Sequence, residues 1–236
     1  MTTTLFDKWT TRYDRWFETP LGILVKQYES RLLLDLLNPF PGEKILDVGC
    51  GTGIFTIDVM ALGPMITGID ISQPMLRKAV HKIYKIGSHA KTDGTIKTDF
   101  TGVCGDMCTL PFADNSFDKV LSMTAIEFIK NANKAVAELD RVTRKGGTIV
   151  LTTLNSLSPW AKQRRKKAED GHDLFQKIFF RSPDEMRTLV PANPVVKTAI
   201  HFQKEDCLSD IPEIERQGNN NNSDKGAFLA VLWNKI

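Results

Sequence analysis

Cysteine is scarce in this chain and badly spaced for metal chemistry. There are four, at positions 50, 104, 108 and 207, with no CxxC pair and no histidine at ligand spacing. That argues against a structural zinc site and for reduced thiols, as in a cytoplasmic protein. Long apolar runs are missing too. None approaches the ~20 residues that cross a bilayer, so no membrane span is expected. The start, MTTTLFDKWTTRYDRWF, mixes both charge signs and lacks the apolar core of an export signal. Neither sign of charge dominates: the net charge is +3 and the pI about 8.6. An excess that small does not call for a nucleic-acid partner. No internal repeat is present.

The chain does have an ordinary globular composition, 42% hydrophobic and 25% charged over 236 residues, which fits one domain with decorations. Short apolar runs alternate with helical stretches. KILDV (44–48), PMITGID (64–70), TGVCGD (101–106), FDKVLSM (117–123) and GTIVLTT (147–153) read as buried strands. Helices are predicted over 53–62, 73–86 and 131–144, and an amphipathic one over 26–40. Strand, helix, strand in that order implies right-handed crossovers and a parallel sheet covered on both faces. VVKTAIHFQ (195–203) and KGAFLAVLWNK (225–235) are two more strands, most easily paired antiparallel. The acidic, Asn-rich stretch between them reads as an exposed, mobile loop.

The first strand ends in DVGCGTG, with Gly49, Gly51 and Gly53 in five positions. Glycine there gives up packing for a sharp turn or for the close approach of another molecule. Open parallel sheets bind ligands beyond the carboxyl ends of their strands. Asp70, closing the second strand, has the placement of a carboxylate that accepts both hydroxyls of a ribose. Turn and carboxylate together point to a nucleoside-containing cofactor. The spacing is G-x-G-x-G, which differs from the G-x-G-x-x-G of dinucleotide enzymes.

ILDVGCGTG, then GIDIS (68–72), GDM (105–107) and LPFADNSFDKVLS (110–122), resembles in order the motifs of class I S-adenosylmethionine-dependent methyltransferases. Within them it is most similar to the methyltransferase-11 type, which includes the quinone-biosynthesis C-methyltransferases. The resemblance covers roughly residues 10–190. It implies a Rossmann-like, doubly wound α/β fold. The sheet would have seven strands, mostly parallel with an antiparallel C-terminal strand, and helices on both faces. It also implies S-adenosyl-L-methionine as cofactor and S-adenosyl-L-homocysteine as product. Asp47 would orient the methionine part, with Gly49, Gly51 and Gly53 letting its chain pass. Asp70 would hold the ribose and Ile71 the adenine face. Asp106 and the Met107 amide would meet the adenine edge, and Thr124 would lie near the methionine end. Relatives often carry a histidine after the fourth strand, where this chain reads AIEFIKN. The candidate catalytic side chains are therefore Glu127 there and Tyr13, where relatives bring an N-terminal aromatic over the cofactor.

A sulfonium methyl is already activated, so such an enzyme aligns an acceptor and excludes water. No metal is required. The expected whole is one domain over 1–236, with an N-terminal lid (about 1–25) and a substrate-covering insertion (about 155–182). The basic run Lys162 to Lys167 within that insertion reads as a solvated helix face. The expected partner is a small-molecule acceptor, with no nucleic acid. Methylation of RNA or protein stays open, as does a protein that binds S-adenosylmethionine without catalysis. The acceptor atom and the oligomeric state are not written in the sequence.

Overall fold

The computed structural model describes residues 4–90, 99–191 and 193–236. Seven strands form one sheet: β1 (Lys44–Val48), β2 (Met65–Asp70), β3 (Phe100–Cys104), β4 (Phe117–Ser122), β5 (Thr143–Leu154), β6 (Val195–Ala199) and β7 (Phe228–Asn234). Their order is β3-β2-β1-β4-β5-β7-β6. The first five pair in parallel, and β7 runs antiparallel to both of its neighbours. The order reverses between β1 and β4, which opens a crevice beyond their carboxyl ends.

Both faces are covered, so the central strands are apolar on both sides. Ile45 points into one layer with Leu33, Phe55, Trp160 and Phe228. Its neighbour Leu46 points into the other, with Val120, Leu139, Met186 and Trp233, as the two-residue period of a strand requires.

The helices begin where capping chemistry allows. In α2 (Pro20–Leu37) the Thr19 side chain accepts from the Gly22 amide, Pro20 opens the helix, and Asn38 ends it at φ +44°. Ser158 and Asn131 cap α6 (Pro159–Glu169) and α5 (Ala132–Val142) in the same way. Ser182 and Glu185 form a full capping box on α7 (Pro183–Leu189). A short helix, α1 (Thr10–Phe17), precedes α2, and α3 (Thr56–Met60) and α4 (Gln73–Ala90) flank β2.

The structure departs from the sequence reading in the C-terminal part. The Asn-rich stretch is not a loop throughout: α8 (Ile211–Asn220) lies between β6 and β7. Asn and Gly disfavour helix, but Ile211 is fully buried. The Glu215 carboxylate also accepts the Ile200 and His201 amides, at 2.9 and 2.8 Å. Tertiary anchoring outweighs local propensity here. β6 stops at Ala199 because Ile200 turns to φ +65°. The lengthened approach to β3 read as surface variation (85–100) falls partly outside the described residues.

Candidate active site

The turn after β1 is tied to β2 before it reaches the crevice. The Gly49 and Cys50 amides both donate to the Ile69 carbonyl, at 2.7 and 3.1 Å. Gly49 sits at φ +74°, and a Cβ on it would lie 2.5 Å from that of Ala125. Gly51 sits at φ +55° with nothing within 4 Å of where its Cβ would be. One glycine thus admits a neighbouring loop and the other leaves open space. The Asp70 carboxylate fixes the rest: Oδ2 accepts the Gly51 amide at 2.8 Å and Oδ1 the Ser72 amide at 2.7 Å. Burial still pushes the Asp70 carboxyl above its usual range, against those two amide bonds.

A cavity of about 900 Å³ opens beyond these strand ends. Gly49, Gly51, Asp70, Ile71, Asp106, Met107, Thr124 and Tyr13 all lie on its wall. Ile71 is 53% exposed, an apolar side chain offered to the cavity. Asp106 accepts the Cys108 amide at 2.8 Å. Gly53 and Asp47 are placed off the wall. The missing side chain of Gly53 faces Ala79 of α4, whose Cβ would be 3.1 Å away, so this glycine lets the helix approach. Asp47 is buried beneath the turn. Its Oδ2 accepts the Thr56 hydroxyl at 2.6 Å, and its Oδ1 has no partner among the described residues. Burial, with Asp70 adding to it, pushes the Asp47 carboxyl up to about 7.

On the far side, Thr124 takes φ +44° and donates its amide to the Thr152 hydroxyl at 2.9 Å. The Tyr13 hydroxyl lies beside the Thr124 side chain, and burial raises its pKa strongly, with Glu29 and Glu127 adding to the shift. Glu127 is off the cavity wall, on a single 3-10 turn (Ile126–Phe128) and 1% exposed. The Thr153 hydroxyl reaches its Oε2 at 3.4 Å. Arg181 donates to the carbonyls of Ile126, Ile129 and Phe179, which clamps that turn to the segment after β5. Burial pushes the Glu127 carboxyl up to about 7. Glu29 of α2 and Arg164 of α6 also approach Glu127, and the sequence reading named neither.

The N-terminal segment crosses the cavity mouth, with Leu5, Phe6 and Asp7 on the wall. Asp7 accepts the Ser72 hydroxyl at 2.7 Å. Asp14 of α1 accepts the Thr52 hydroxyl at 2.6 Å and pairs with Lys78 and Lys82 of α4, at 2.9 and 3.1 Å. Phe6 meets Phe128 edge to face at 4.7 Å. The Cys50 thiol is buried and its pKa raised, so it packs rather than reacts. Among the described residues no group of His, Cys, Asp and Glu is placed to hold a metal ion. No described helix is long and apolar enough to cross a membrane.

A family model described as a methyltransferase domain matches residues 46–151. The chain is 36% identical over 121 residues to a demethylmenaquinone methyltransferase of Renibacterium salmoninarum, 51% of this chain and 45% of the relative. It is 32% identical over 149 residues to a malonyl-[acyl-carrier protein] O-methyltransferase of Buchnera aphidicola, 63% of this chain and 52% of the relative. The chain spans about half the length of these curated relatives. In overall form it follows a SAM-dependent methyltransferase structure from Thermotoga maritima, with a TM-score of 0.70 and 98% of each chain covered. Identity there is 20%, so that likeness is one of fold. The matched span holds the glycine turn, Asp70 and Asp106, the residues that shape the cavity. Residues 46–151 match the methyltransferase-11 domain, and the chain has the fold of a class I S-adenosylmethionine-dependent methyltransferase.

Proposed function

We propose that the protein transfers a methyl group from S-adenosylmethionine to a small-molecule acceptor. The observation that carries this reading is the cavity wall itself. It combines a carboxylate at the end of β2, an open glycine turn at the end of β1, and an exposed apolar side chain beside them. The residues fit the cofactor. Each Asp70 oxygen spends one lone-pair direction on an amide and keeps another for a ribose hydroxyl. Ile71 would face the adenine, with Asp106 and the Met107 amide at its edge. The methionine chain would pass Gly49 and Gly51 toward Thr124. The unpartnered Oδ1 of Asp47 is an acceptor for its ammonium, since a buried carboxylate oxygen left unpaired is costly. Gly53 would act through the packing of α4.

Bound there, S-adenosylmethionine supplies a methyl carbon on a sulfonium, which needs alignment more than activation. The protein's part is to hold the acceptor in line and keep water out. Residues 4–17 are placed to cover the mouth, and we assign them, with the 155–182 insertion, the role of a lid. Among the relatives, one is named for demethylmenaquinone and another for malonyl-[acyl-carrier protein], and the first of these favours a small acceptor here. A cytoplasmic location suits four cysteines that are all free thiols. Calorimetry tests the cofactor assignment: S-adenosylhomocysteine should bind at micromolar strength and NAD should not. NAD binding without a response to S-adenosylhomocysteine overturns it. Labelled S-adenosylmethionine incubated with the protein and a cell extract then identifies the acceptor.

A further inference from the structure

The charges on the cavity wall are confined to one end of it. Among the described residues, the charged side chains that line it are Asp7, Asp70, Arg77 and Asp106. Asp70 closes β2, and the Ser72 hydroxyl holds Asp7 beside it at 2.7 Å. Hydrogen bonds from Thr4 and Ser72 keep the Asp7 carboxyl below its usual range, and Arg77 of α4 adds to them. Asp106 follows β3. All four therefore gather around the ends of β2 and β3 and the start of α4, the end assigned to ribose and adenine.

Beyond β4 the wall changes character. Met123, Thr124, Ala125, Phe128 and Ile129 supply it as the chain leaves the strand, and Phe6 and Tyr13 close it from the N-terminal segment. No charged side chain lies on this stretch among the described residues. Glu127 sits within the same turn but is 1% exposed and off the wall. The main chain here is spent as well. The Phe128 and Ile129 amides donate to the Ala125 and Ile126 carbonyls, each at 3.1 Å, and the Ile126 and Ile129 carbonyls accept from Arg181. The Tyr13 and Thr124 hydroxyls bond to each other, which leaves one hydroxyl donor between them.

We infer that the methyl acceptor occupies this stretch, and that Phe6, Phe128 and Ile129 select it as an uncharged, largely apolar ring molecule. This rests on the reading of the cavity as the cofactor site, since a methionine chain directed toward Thr124 delivers its methyl group to this end.

Two properties of the wall make the selection. The first is charge. A carboxylate, phosphate or ammonium brought here loses its water and finds no opposite charge, which is the costly way to bury an ion. Burial holds the proton on Tyr13, with Glu29 and Glu127 adding to the effect, so its hydroxyl is a neutral group that orients a carbonyl or hydroxyl oxygen. The second is shape. The Phe6 and Phe128 rings meet at 89° with their centroids 4.7 Å apart. They form a corner in which a flat ring stacks on one and meets the edge of the other. Ile129 adds aliphatic surface beside them.

Three probes on one biphenyl skeleton test this by calorimetry, with the full-length protein saturated by S-adenosylhomocysteine. They are 4-phenylphenol, neutral at pH 7 because a phenol ionises near pH ~10, biphenyl-4-carboxylate and 4-phenylbenzylammonium. The neutral probe should bind about tenfold or more tightly than either charged one. Phe6→Lys puts an ammonium on the wall from a segment outside the sheet, and it should reverse the order in favour of the carboxylate. Should the lysine instead release that segment, seen as faster amide exchange over residues 4–17, Phe128→Leu serves in its place. It keeps the wall apolar but removes the corner, so 4-phenylphenol should bind several-fold more weakly and still ahead of both charged probes. Four results overturn the inference: no probe bound by the wild type, a charged probe bound as tightly as the neutral one, a Phe6→Lys protein with its segment in place that still rejects the carboxylate, or a Phe128→Leu protein that binds 4-phenylphenol undiminished. S-adenosylhomocysteine titrated alone reports on the cofactor reading, and its failure to bind overturns that reading instead.

Discussion

The two halves of the crevice treat their carboxylates in opposite ways. On the cofactor side, beyond β1 and β2, Asp70 is met by two backbone amides and Asp106 by one. Beyond β4, Glu127 is 1% exposed and meets the Thr153 hydroxyl at 3.4 Å, and Glu29 of α2 is 7% exposed. The first half is preorganised by the main chain, and main-chain geometry follows from short local motifs. The second half brings together side chains from separate elements, and burial raises its carboxyls.

The largest effect expected comes from the buried carboxylates beyond β4. Burial raises the Glu29 carboxyl from an ordinary 4.5 to about 8 in the folded state. Between those values the unfolded chain has lost the proton and the folded chain keeps it. The folded state therefore binds more protons, and stability falls as pH rises through that window. Glu127 acts in the same direction up to about 7. Gln at position 29 has no proton to lose, so Glu29→Gln should gain on the wild type by several kcal/mol as pH rises from about 5 to about 8. Thermal melts of both proteins across that range measure it. A constant difference would mean that Glu29 is well solvated and that the two halves are alike.

The corresponding change on the cofactor side is Asp70→Asn. It keeps the shape and one acceptor oxygen but loses charge-assisted bonds to both ribose hydroxyls. Affinity for S-adenosylhomocysteine should fall by about 2–4 kcal/mol in calorimetry, with no dependence on the acceptor. Unchanged affinity would place the ribose elsewhere.

The same contrast explains what could be read from the sequence. Strands β1 to β4, the glycine turn and Asp70 were legible because their signals are local: alternation, a glycine cluster, an acid at a strand end. α8 was not, because its anchors, Ile211 and Glu215, matter only against the chain near Ile200. Glu29, Glu127 and Arg164 share no spacing that marks them as neighbours. The basic run Lys162 to Lys167 reads as solvated, and Lys162, Arg165, Lys166 and Lys167 are indeed exposed. Arg164 turns inward. One signal was available: Trp160 lies four residues earlier, on the same helix face, and a buried tryptophan carries its i+4 neighbour inward.

Glycines at 51 and 53 sharpen the comparison on a smaller scale. Both have positive φ, so alanine at either strains the backbone by about 1–2 kcal/mol. Gly53→Ala should add crowding against Ala79 and lower stability further, with cofactor affinity kept. Gly51→Ala meets open space within the protein, so its methyl group intrudes on the cavity, and affinity should fall more than stability. Melting temperatures and S-adenosylhomocysteine titrations on the same two variants separate these outcomes; identical profiles would remove the distinction.

The smallest effect concerns the segment that joins the halves. Asp14 anchors α1 to α4 through Lys78 and Lys82, beside a bond to the Thr52 hydroxyl. Burial works against its charge, yet Thr52 and the two lysines win and hold its carboxyl below the usual range. A depressed carboxyl contributes stability above its ordinary pKa and loses it as pH falls through the lowered value. The latch is therefore fully made at neutral pH and released in acid. These side chains are partly exposed, so water and salt screen the pairs and hold their worth to about 0.5–1 kcal/mol. That is enough to hold α1 against α4 and too little to prevent its release. Asp14→Asn should leave the melting temperature nearly unchanged while residues 4–17 exchange amide hydrogens several-fold faster, and added salt should speed exchange in the wild type toward the variant's rate. If exchange in that segment ignores both the substitution and the salt, then α1 is held by Phe17 and its aromatic neighbours instead, and the cover over the cavity is a fixed wall.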